Sequence, residues 1–325
     1  MPQSKKRSSV SQQPAHIAQL KRTIRTLTII STTALMIGIV AILLAAIPIV
    51  SAALKGPAPN FGHTIAGINN PLTPSQLAVI NNASNSAFEA AGEAFLSGNF
   101  SNVGGFQRVN TTPLIINGKP SVVYLGAISC IYCGENRWAM ALALSRFGSF
   151  SKLYIGYSAL GDGDVPTLYW LPAAYNETSG VNFGSNYSSS YINFLPIEYI
   201  SPIKSGFQMQ PLSFFQQKVN QTQDTGYSQA VNMIIRLNSF QGTPYTIWGN
   251  SVVPGADGSI FSNQTTQLTN MTHQQVLNQI QASTGLGSAE YAAADLYIAM
   301  ICESINNAAP VCSLPAIPRI EAKGY

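Results

Sequence analysis

The chain has 325 residues, which allows one large domain or two small ones, and only 9% of its residues are charged. Six of the 17 basic residues lie before residue 26, and the remainder of the chain has 11 basic and 13 acidic side chains. The formal net charge of +4 therefore comes from the basic N-terminal end. Positive charge confined to one end, with no nucleic-acid-binding motif beside it, argues against nucleic acid as a partner.

An uncharged segment follows the basic residues, from 26 to 54. Because roughly 20 apolar residues span a bilayer, we predict a transmembrane signal-anchor helix over 26–54. The positive-inside rule then makes 1–25 a cytoplasmic basic tail and the rest of the chain extracytoplasmic, in a single-pass protein of the cell membrane. The alternative is a cleaved signal peptide, since Ser51-Ala52-Ala53 resembles a cleavage site, although the apolar run exceeds the usual roughly 7–15 residues.

Residues 55–71 are rich in Gly, Pro and Asn and predict a stalk before a domain over 72–325. Eight Asn-x-Ser/Thr triplets follow residue 54, which fits a glycoprotein exposed outside the cytoplasm. An Asn- and Ser-rich chain also produces such triplets by chance, so they support this orientation weakly. The triplets begin at Asn82, Asn99, Asn110, Asn176, Asn186, Asn220, Asn263 and Asn270.

Helices and short apolar strands alternate along the domain. A helix over 73–96 is predicted by a capping box, in which Thr73 is the N-cap and Gln76 the third helical residue. A hairpin of 167–173 and 191–200 is expected within an insertion over about 159–226, where Tyr, Asn, Ser and Gly are frequent. The other expected elements are strands over 113–117, 121–127, 152–158, 242–248 and 251–253 and helices over 130–147, 228–237, 272–282 and 288–305.

The clearest chemical signature is the pair in Cys130-Ile131-Tyr132-Cys133, at the start of a predicted helix and directly after a predicted strand. The first cysteine lies where unpaired N–H groups and the helix macrodipole stabilise a negative sulfur. A lowered thiol pKa makes Cys130 the expected nucleophile, and Cys133, one turn later, the expected resolving thiol. We expect Cys130 to be exposed and Cys133 to be buried.

The order of elements resembles the thioredoxin fold, in which a Cys-x-x-Cys motif follows a strand and a proline-containing strand lies opposite the active site. Gly242-Thr243-Pro244, at the start of the predicted 242–248 strand, matches that element, and it looks most like the version in bacterial periplasmic disulfide oxidants. The resemblance implies a cis bond before Pro244 and a substrate chain that pairs with the backbone of Thr243. The expected fold is therefore α/β, a thioredoxin-like domain with an inserted hairpin, preceded by one transmembrane helix.

A closer similarity covers most of the chain after about residue 70. It is carried by 121–133, by Glu135-Asn136-Arg137-Trp138 and by 143–148, which are similar to an archaeal family named domain of unknown function 929. The resemblance implies an N-terminal membrane anchor and a thioredoxin-like outer domain, and it implies activity only by analogy. Because Ile131-Tyr132 contains no His, we expect only a modest lowering of the pKa of Cys130 and a weaker oxidant than the periplasmic enzymes.

Two further cysteines, Cys302 and Cys312, lie near the C-terminus and are expected to form a structural disulfide. The alternative is a second redox pair that relays electrons to Cys130 and Cys133. A zinc site of four cysteines would require both pairs to converge, and the second pair is widely spaced. Asp162-Gly163-Asp164 lacks the downstream Glu of a calcium loop. We therefore expect no metal and no cofactor.

The leading hypothesis is a membrane-tethered, extracytoplasmic thiol–disulfide oxidoreductase with Cys130 and Cys133 as its catalytic residues. Its expected partners are the membrane, the thiols or disulfides of exported proteins and a redox partner that the sequence does not identify. The alternative is a non-catalytic, thioredoxin-like surface scaffold or adhesion module with static disulfides. A reduction potential below roughly −300 mV would indicate a structural bond.

Overall fold

The computed structural model describes residues 67–100, 103, 107–158, 165–173, 180–200, 210–238, 242–253, 265–269 and 271–324. The α-helices are α1 (Pro74–Asn81), α2 (Asn85–Leu96), α3 (Ile131–Leu144), α4 (Leu212–Thr222), α5 (Thr225–Leu237), α6 (Thr265–Leu268), α7 (His273–Ala282), α8 (Leu286–Ser304) and α9 (Ala316–Lys323). A 3-10 helix covers Pro310–Ser313. The strands are β1 (Gln107–Arg108), β2 (Ile115–Ile116), β3 (Lys119–Ala127), β4 (Gly148–Phe150), β5 (Tyr154–Tyr157), β6 (Pro166–Tyr169), β7 (Gly180–Phe183), β8 (Tyr187–Ser189), β9 (Asn193–Ile200), β10 (Tyr245–Trp248) and β11 (Ser251–Val253).

The expected transmembrane helix requires a correction. Among the described residues, no helix combines the length and the apolar character needed to cross a membrane. The longest described helix, α8, carries the acidic residues Glu290, Asp295 and Glu303. This finding contradicts the single-pass membrane localisation and leaves a mixed α/β fold as the fold class. The predicted tail at 1–25, the predicted membrane helix at 26–54 and most of the predicted stalk lie outside the described residues.

The central sheet is mixed and has the strand order β1-β11-β10-β3-β9-β7, with β2 paired to the start of β3. β3 and β9 run parallel, with Gly126 opposite Glu198. β10 runs antiparallel to β3, with Tyr245 opposite Leu125. The end of β3 that leads into the cysteine pair therefore lies beside the start of β10.

Both faces of the sheet are covered by helices. Successive side chains of a strand point to opposite faces, so Val122 and Tyr124 of β3 join a core with α3 and α8. Val123 and Leu125 join a second core with α4 and α5. Burial on both faces explains the nearly continuous apolar sequence of β3.

The helix expected over 73–96 is two helices. Thr73 and Gln76 form the capping box that begins α1. Ser84 begins α2, because its hydroxyl accepts a hydrogen bond from the backbone N–H of Ala87 at 3.2 Å. A serine that caps a helix in this way favours a helix start over a helix interior.

The hairpin expected between 167–173 and 191–200 is not formed. β6 pairs with β5 in a separate two-stranded sheet, and β9 lies next to β3 in the central sheet. The last five residues of β9 are all buried, which identifies β9 as a core strand. The segment 159–226 therefore contributes a strand to the core of the domain.

Candidate dithiol site

Cys130 is the N-cap of α3 and follows β3 after a short turn. Its backbone is extended, with φ −79° and ψ 124°, and its Sγ accepts a hydrogen bond from the backbone N–H of Cys133 at 3.3 Å. An N-cap side chain satisfies one of the unpaired donors of a helix start, and here the acceptor is sulfur. Both cysteines are free thiols.

The exposure of Cys130 differs from the expectation. Cys130 is only 5% exposed, and Cys133 is completely buried. Cys130 belongs to the apolar core on the α4 and α5 side of the sheet, and its Sγ lies 3.8 Å from the carbonyl oxygen of Thr243. The prediction of an exposed Cys130 is therefore wrong.

The two thiols have opposite pKa shifts. Burial raises the pKa of Cys130, but hydrogen bonds from the Cys133 side chain and backbone, together with the positive charge of Arg137, outweigh burial and lower it. Burial raises the pKa of Cys133 well above its usual value, and the hydrogen bond to Cys130 raises it further. Cys130 is therefore the thiol that ionises first.

Thr243 and Pro244 lie at the start of β10, beside Cys130. The peptide bond between them is cis. Asn238 positions the preceding residue, since its side-chain amide donates to the carbonyl of Gly242 at 3.0 Å and its amide oxygen accepts the Gly242 N–H at 3.3 Å. The antiparallel pairing of β10 with β3 then places this segment at the carboxyl end of β3. The fold thus brings the proposed substrate-binding residues next to the proposed nucleophile.

A buried ion pair next to the cysteines was not assigned a role from the sequence. Arg137 on α3 is completely buried and donates to Glu198 of β9 through Nε and Nη2, each 2.8 Å from a carboxylate oxygen. Burial lowers the pKa of Arg137, but the charge of Glu198 raises it well above its usual value. The signal in the sequence was a basic residue one turn after Cys133, on a helix whose other side chains are largely apolar.

Tyr124 and Gly126 fill the space beside this ion pair. The two residues share one face of β3, and a Cβ at Gly126 would lie 2.1 Å from the Tyr124 hydroxyl. That hydroxyl is buried and has no hydrogen-bond partner among the described residues. Burial raises the pKa of Tyr124, and the charge of Arg137 opposes the increase. The phenol therefore stays neutral beside the dithiol.

Glu135 also lies in the buried part of α3. Neither of its carboxyl oxygens has a hydrogen-bond partner among the described residues. Burial, followed by the nearby charges of Glu290 and Cys130, raises the pKa of Glu135 to about 10. Glu135 is therefore a neutral carboxylic acid at pH 7.

Cys302 and Cys312 are joined by a disulfide bond, with their Cα atoms 5.5 Å apart. Cys302 lies in the last turn of α8. This end of α8 meets the end of β10, since Trp248 stacks on Tyr297 at 4.4 Å and a Cβ at Gly249 would lie 2.8 Å from Cβ of Ser304. The free cysteines lie at the start of β10. The fold does not bring the two cysteine pairs together as a relay would require.

Metal ligands are not grouped in the part of the chain that the structure describes, where no cluster of three or more His, Cys, Asp or Glu side chains could hold an ion. Asp162 and Asp164, considered as calcium ligands, lie outside the described residues.

A family model described as domain of unknown function (DUF929) matches residues 105–303, more than half of the chain. No curated protein and no solved structure matches the chain. The matched segment contains Cys130, Cys133, Arg137, Glu198 and Thr243.

Proposed function

Because the chain belongs to the DUF929 family, whose description assigns no activity, we propose its function from the dithiol site: a thiol–disulfide oxidoreductase that acts on the thiols or disulfides of other proteins. The observation that carries this proposal is the asymmetry of the pair. Sγ of Cys130 accepts the N–H of Cys133 at the helix start, and the pKa of Cys130 is lowered while that of Cys133 is raised.

The proposed reaction is thiol–disulfide exchange. The thiolate of Cys130 attacks one sulfur of a substrate disulfide, which forms a mixed disulfide and releases the other substrate sulfur as a thiolate. Cys133 then loses its proton and attacks Sγ of Cys130. The Cys130–Cys133 disulfide forms, and the second substrate thiolate leaves. Two electrons pass from the protein to the substrate, and the reverse sequence oxidises a substrate dithiol.

A thioredoxin-like architecture belongs to the same proposal. It is supported by the succession of β3, the Cys-x-x-Cys helix α3, the parallel strand β9 and the hairpin of β10 and β11. In thioredoxin-like proteins the backbone beside the active-site proline pairs with the substrate chain. Thr243 and Pro244 are therefore the proposed substrate-binding residues, and the 3.8 Å between the Thr243 carbonyl and Cys130 Sγ supports this role.

One observation favours a second candidate, a thioredoxin-like scaffold with a static cysteine pair. Cys130 is only 5% exposed, and a large substrate must reach its sulfur. This candidate requires a stable Cys130–Cys133 bond that does not exchange with other thiols.

Equilibration with glutathione distinguishes the two candidates. The purified protein is incubated in buffers of different reduced-to-oxidised glutathione ratio, and the state of Cys130 and Cys133 is determined by thiol labelling and mass spectrometry. We expect a reduction potential between about −270 and −120 mV, the range of known oxidoreductases. A potential below roughly −300 mV would support the static scaffold.

A further inference from the structure

The buried ion pair of Arg137 and Glu198 is hydrogen-bonded, through Arg137, to a strand residue that also hydrogen-bonds Cys133. That residue is Ala127. Nη2 of Arg137 donates to the carbonyl oxygen of Ala127 at 2.9 Å, and the N–H of Ala127 donates to Sγ of Cys133 at 3.5 Å. Ala127 is the last residue of β3. A permanent cation is therefore held one hydrogen-bonded residue away from the resolving sulfur.

The position of Arg137 is fixed by several contacts. Nε and Nη2 of the guanidinium each donate a hydrogen bond of 2.8 Å to a different carboxylate oxygen of Glu198. Nη1 of Arg137 also lies 3.5 Å from the hydroxyl oxygen of Thr167. Planar pairing of this kind holds a guanidinium in one orientation. A buried ion pair is weak evidence for stability. Stability alone therefore does not explain why this pair is buried beside the cysteines.

The cation and the anion do not act equally on the sulfurs. After burial and hydrogen bonding, the charge of Arg137 lowers the pKa of Cys130. At Cys133, burial and Cys130 raise the pKa, and the lowering by Arg137 exceeds the opposing effect of Glu198. Tyr124 and Glu135 also interact with the cysteines, and burial keeps both of them neutral. The dithiol therefore experiences a net positive charge.

We propose that Arg137 is a positioning residue that makes the Cys130–Cys133 disulfide an oxidant of substrate dithiols, an inference that rests on the proposed function. The disulfide carries no charge and gains little from the cation. In the reduced pair, ionisation of Cys130 produces a negative charge that the cation stabilises. Stabilising the reduced form raises the reduction potential of the pair.

The oxidised pair accepts two electrons from a substrate dithiol in two exchange steps. One substrate thiolate attacks Sγ of Cys130, the Cys130–Cys133 bond breaks, and Cys133 leaves as a thiolate close to Arg137. Cys133 takes up one proton. The second substrate thiol loses its proton and attacks the substrate sulfur of the mixed disulfide, which releases Cys130 as a thiolate. Counted from the substrate dithiol, the substrate loses two electrons and two protons. The pair gains both electrons and one proton, on Cys133, and the other proton passes to the solvent when the first substrate thiol ionises.

Three variants of the full chain test this inference. Arg137→Met combined with Glu198→Gln removes both charges and keeps the buried volume. Glu198→Gln alone leaves the cation without its counter-charge. Arg137→Lys keeps the charge. Glu135→Gln is the matched control, because it replaces a neutral buried acid on the same helix with a neutral amide. Each protein is equilibrated with glutathione, and the rate of Cys130 alkylation is measured against pH.

We expect the double variant to reduce the equilibrium constant for formation of the dithiol at least tenfold, or about 30 mV for a two-electron couple, and to move the alkylation profile to higher pH. Glu198→Gln should raise the equilibrium constant for formation of the dithiol at least threefold. This change is opposite in sign to that of the double variant, and loss of structure does not produce it. Arg137→Lys and Glu135→Gln should stay within threefold of the wild type.

Two outcomes separate this inference from the proposed function. A wild-type pair that exchanges with glutathione, but whose equilibrium constant is unchanged or lowered by Glu198→Gln, overturns the role of Arg137 alone. A wild-type pair that does not exchange with glutathione overturns the proposed function and, with it, the inference.

Discussion

The backbone N–H of Cys133 donates a hydrogen bond to Sγ of Cys130 at 3.3 Å, so the start of α3 itself stabilises negative charge on Cys130. The surroundings of Cys133 are different. Its side chain is completely buried, and burial is the main cause of its raised pKa. One helix turn therefore separates a thiol that favours the ionised form from a thiol that favours the protonated form.

This asymmetry predicts which cysteine forms a mixed disulfide. Cys133→Ser should leave Cys130 able to attack a disulfide-containing protein but unable to release it. Reductant-sensitive complexes should accumulate on a non-reducing gel. Cys130→Ser should trap none, because Cys133 is buried and its pKa is raised. Equal trapping by both variants would contradict the assignment of Cys130 as the nucleophile.

Local features of the fold were predictable from the sequence. The helices that start after Thr73 and Thr272 each begin with a capping box, and each box involves residues within a span of four positions. The start of α3 at the cysteine pair depends on a similarly local pattern. A hydrogen bond between neighbouring residues has a recognisable spacing in the chain, so the pattern indicates the structure.

Long-range pairing was not predictable in the same way. β9 was expected in a hairpin, because its own sequence does not specify β3 as its neighbour. The same limit applies to the candidate site, since Arg137 and Glu198 are 61 residues apart. Their contact depends on the parallel register that places Gly126 opposite Glu198. The exposure of Cys130 was predicted wrongly because it depends on Thr243, which approaches from another strand.

The disulfide predicts a contribution to stability that is separate from the redox chemistry. Cys302 and Cys312 are separated by 10 positions, and closing a loop of this size in the unfolded chain contributes about 2.5–3 kcal/mol on the chain-entropy model. Cys302→Ala combined with Cys312→Ala should lower the free energy of unfolding in urea by about this amount. The alkylation rate of Cys130 should not change, and a changed rate would instead support a relay between the two pairs.

Gly126 should not tolerate a larger side chain. A Cβ at this position would lie 2.1 Å from the hydroxyl and 2.4 Å from the nearest ring carbon of Tyr124. Gly126→Ala should therefore lower the free energy of unfolding by about 1–3 kcal/mol. Gly180→Ala on β7 is the control, because the nearest atoms to its new Cβ are 3.7 Å away. Similar losses in the two variants would show that the contact with Tyr124 is not the cause.

Glu135 predicts a pH dependence of stability with a definite sign. The pKa of Glu135 is about 4.5 in the unfolded chain and about 10 in the folded protein, because of burial and then the charge of Glu290. Between these values the folded state keeps a proton that the unfolded state has lost, so stability decreases as pH rises, by at most about 1.4 kcal/mol per pH unit. Glu135→Gln cannot ionise. Relative to the wild type, its free energy of unfolding should therefore increase steadily from pH 5 to pH 8 in urea titrations. A difference between Glu135→Gln and the wild type that does not vary with pH would mean that Glu135 is ionised in the folded protein.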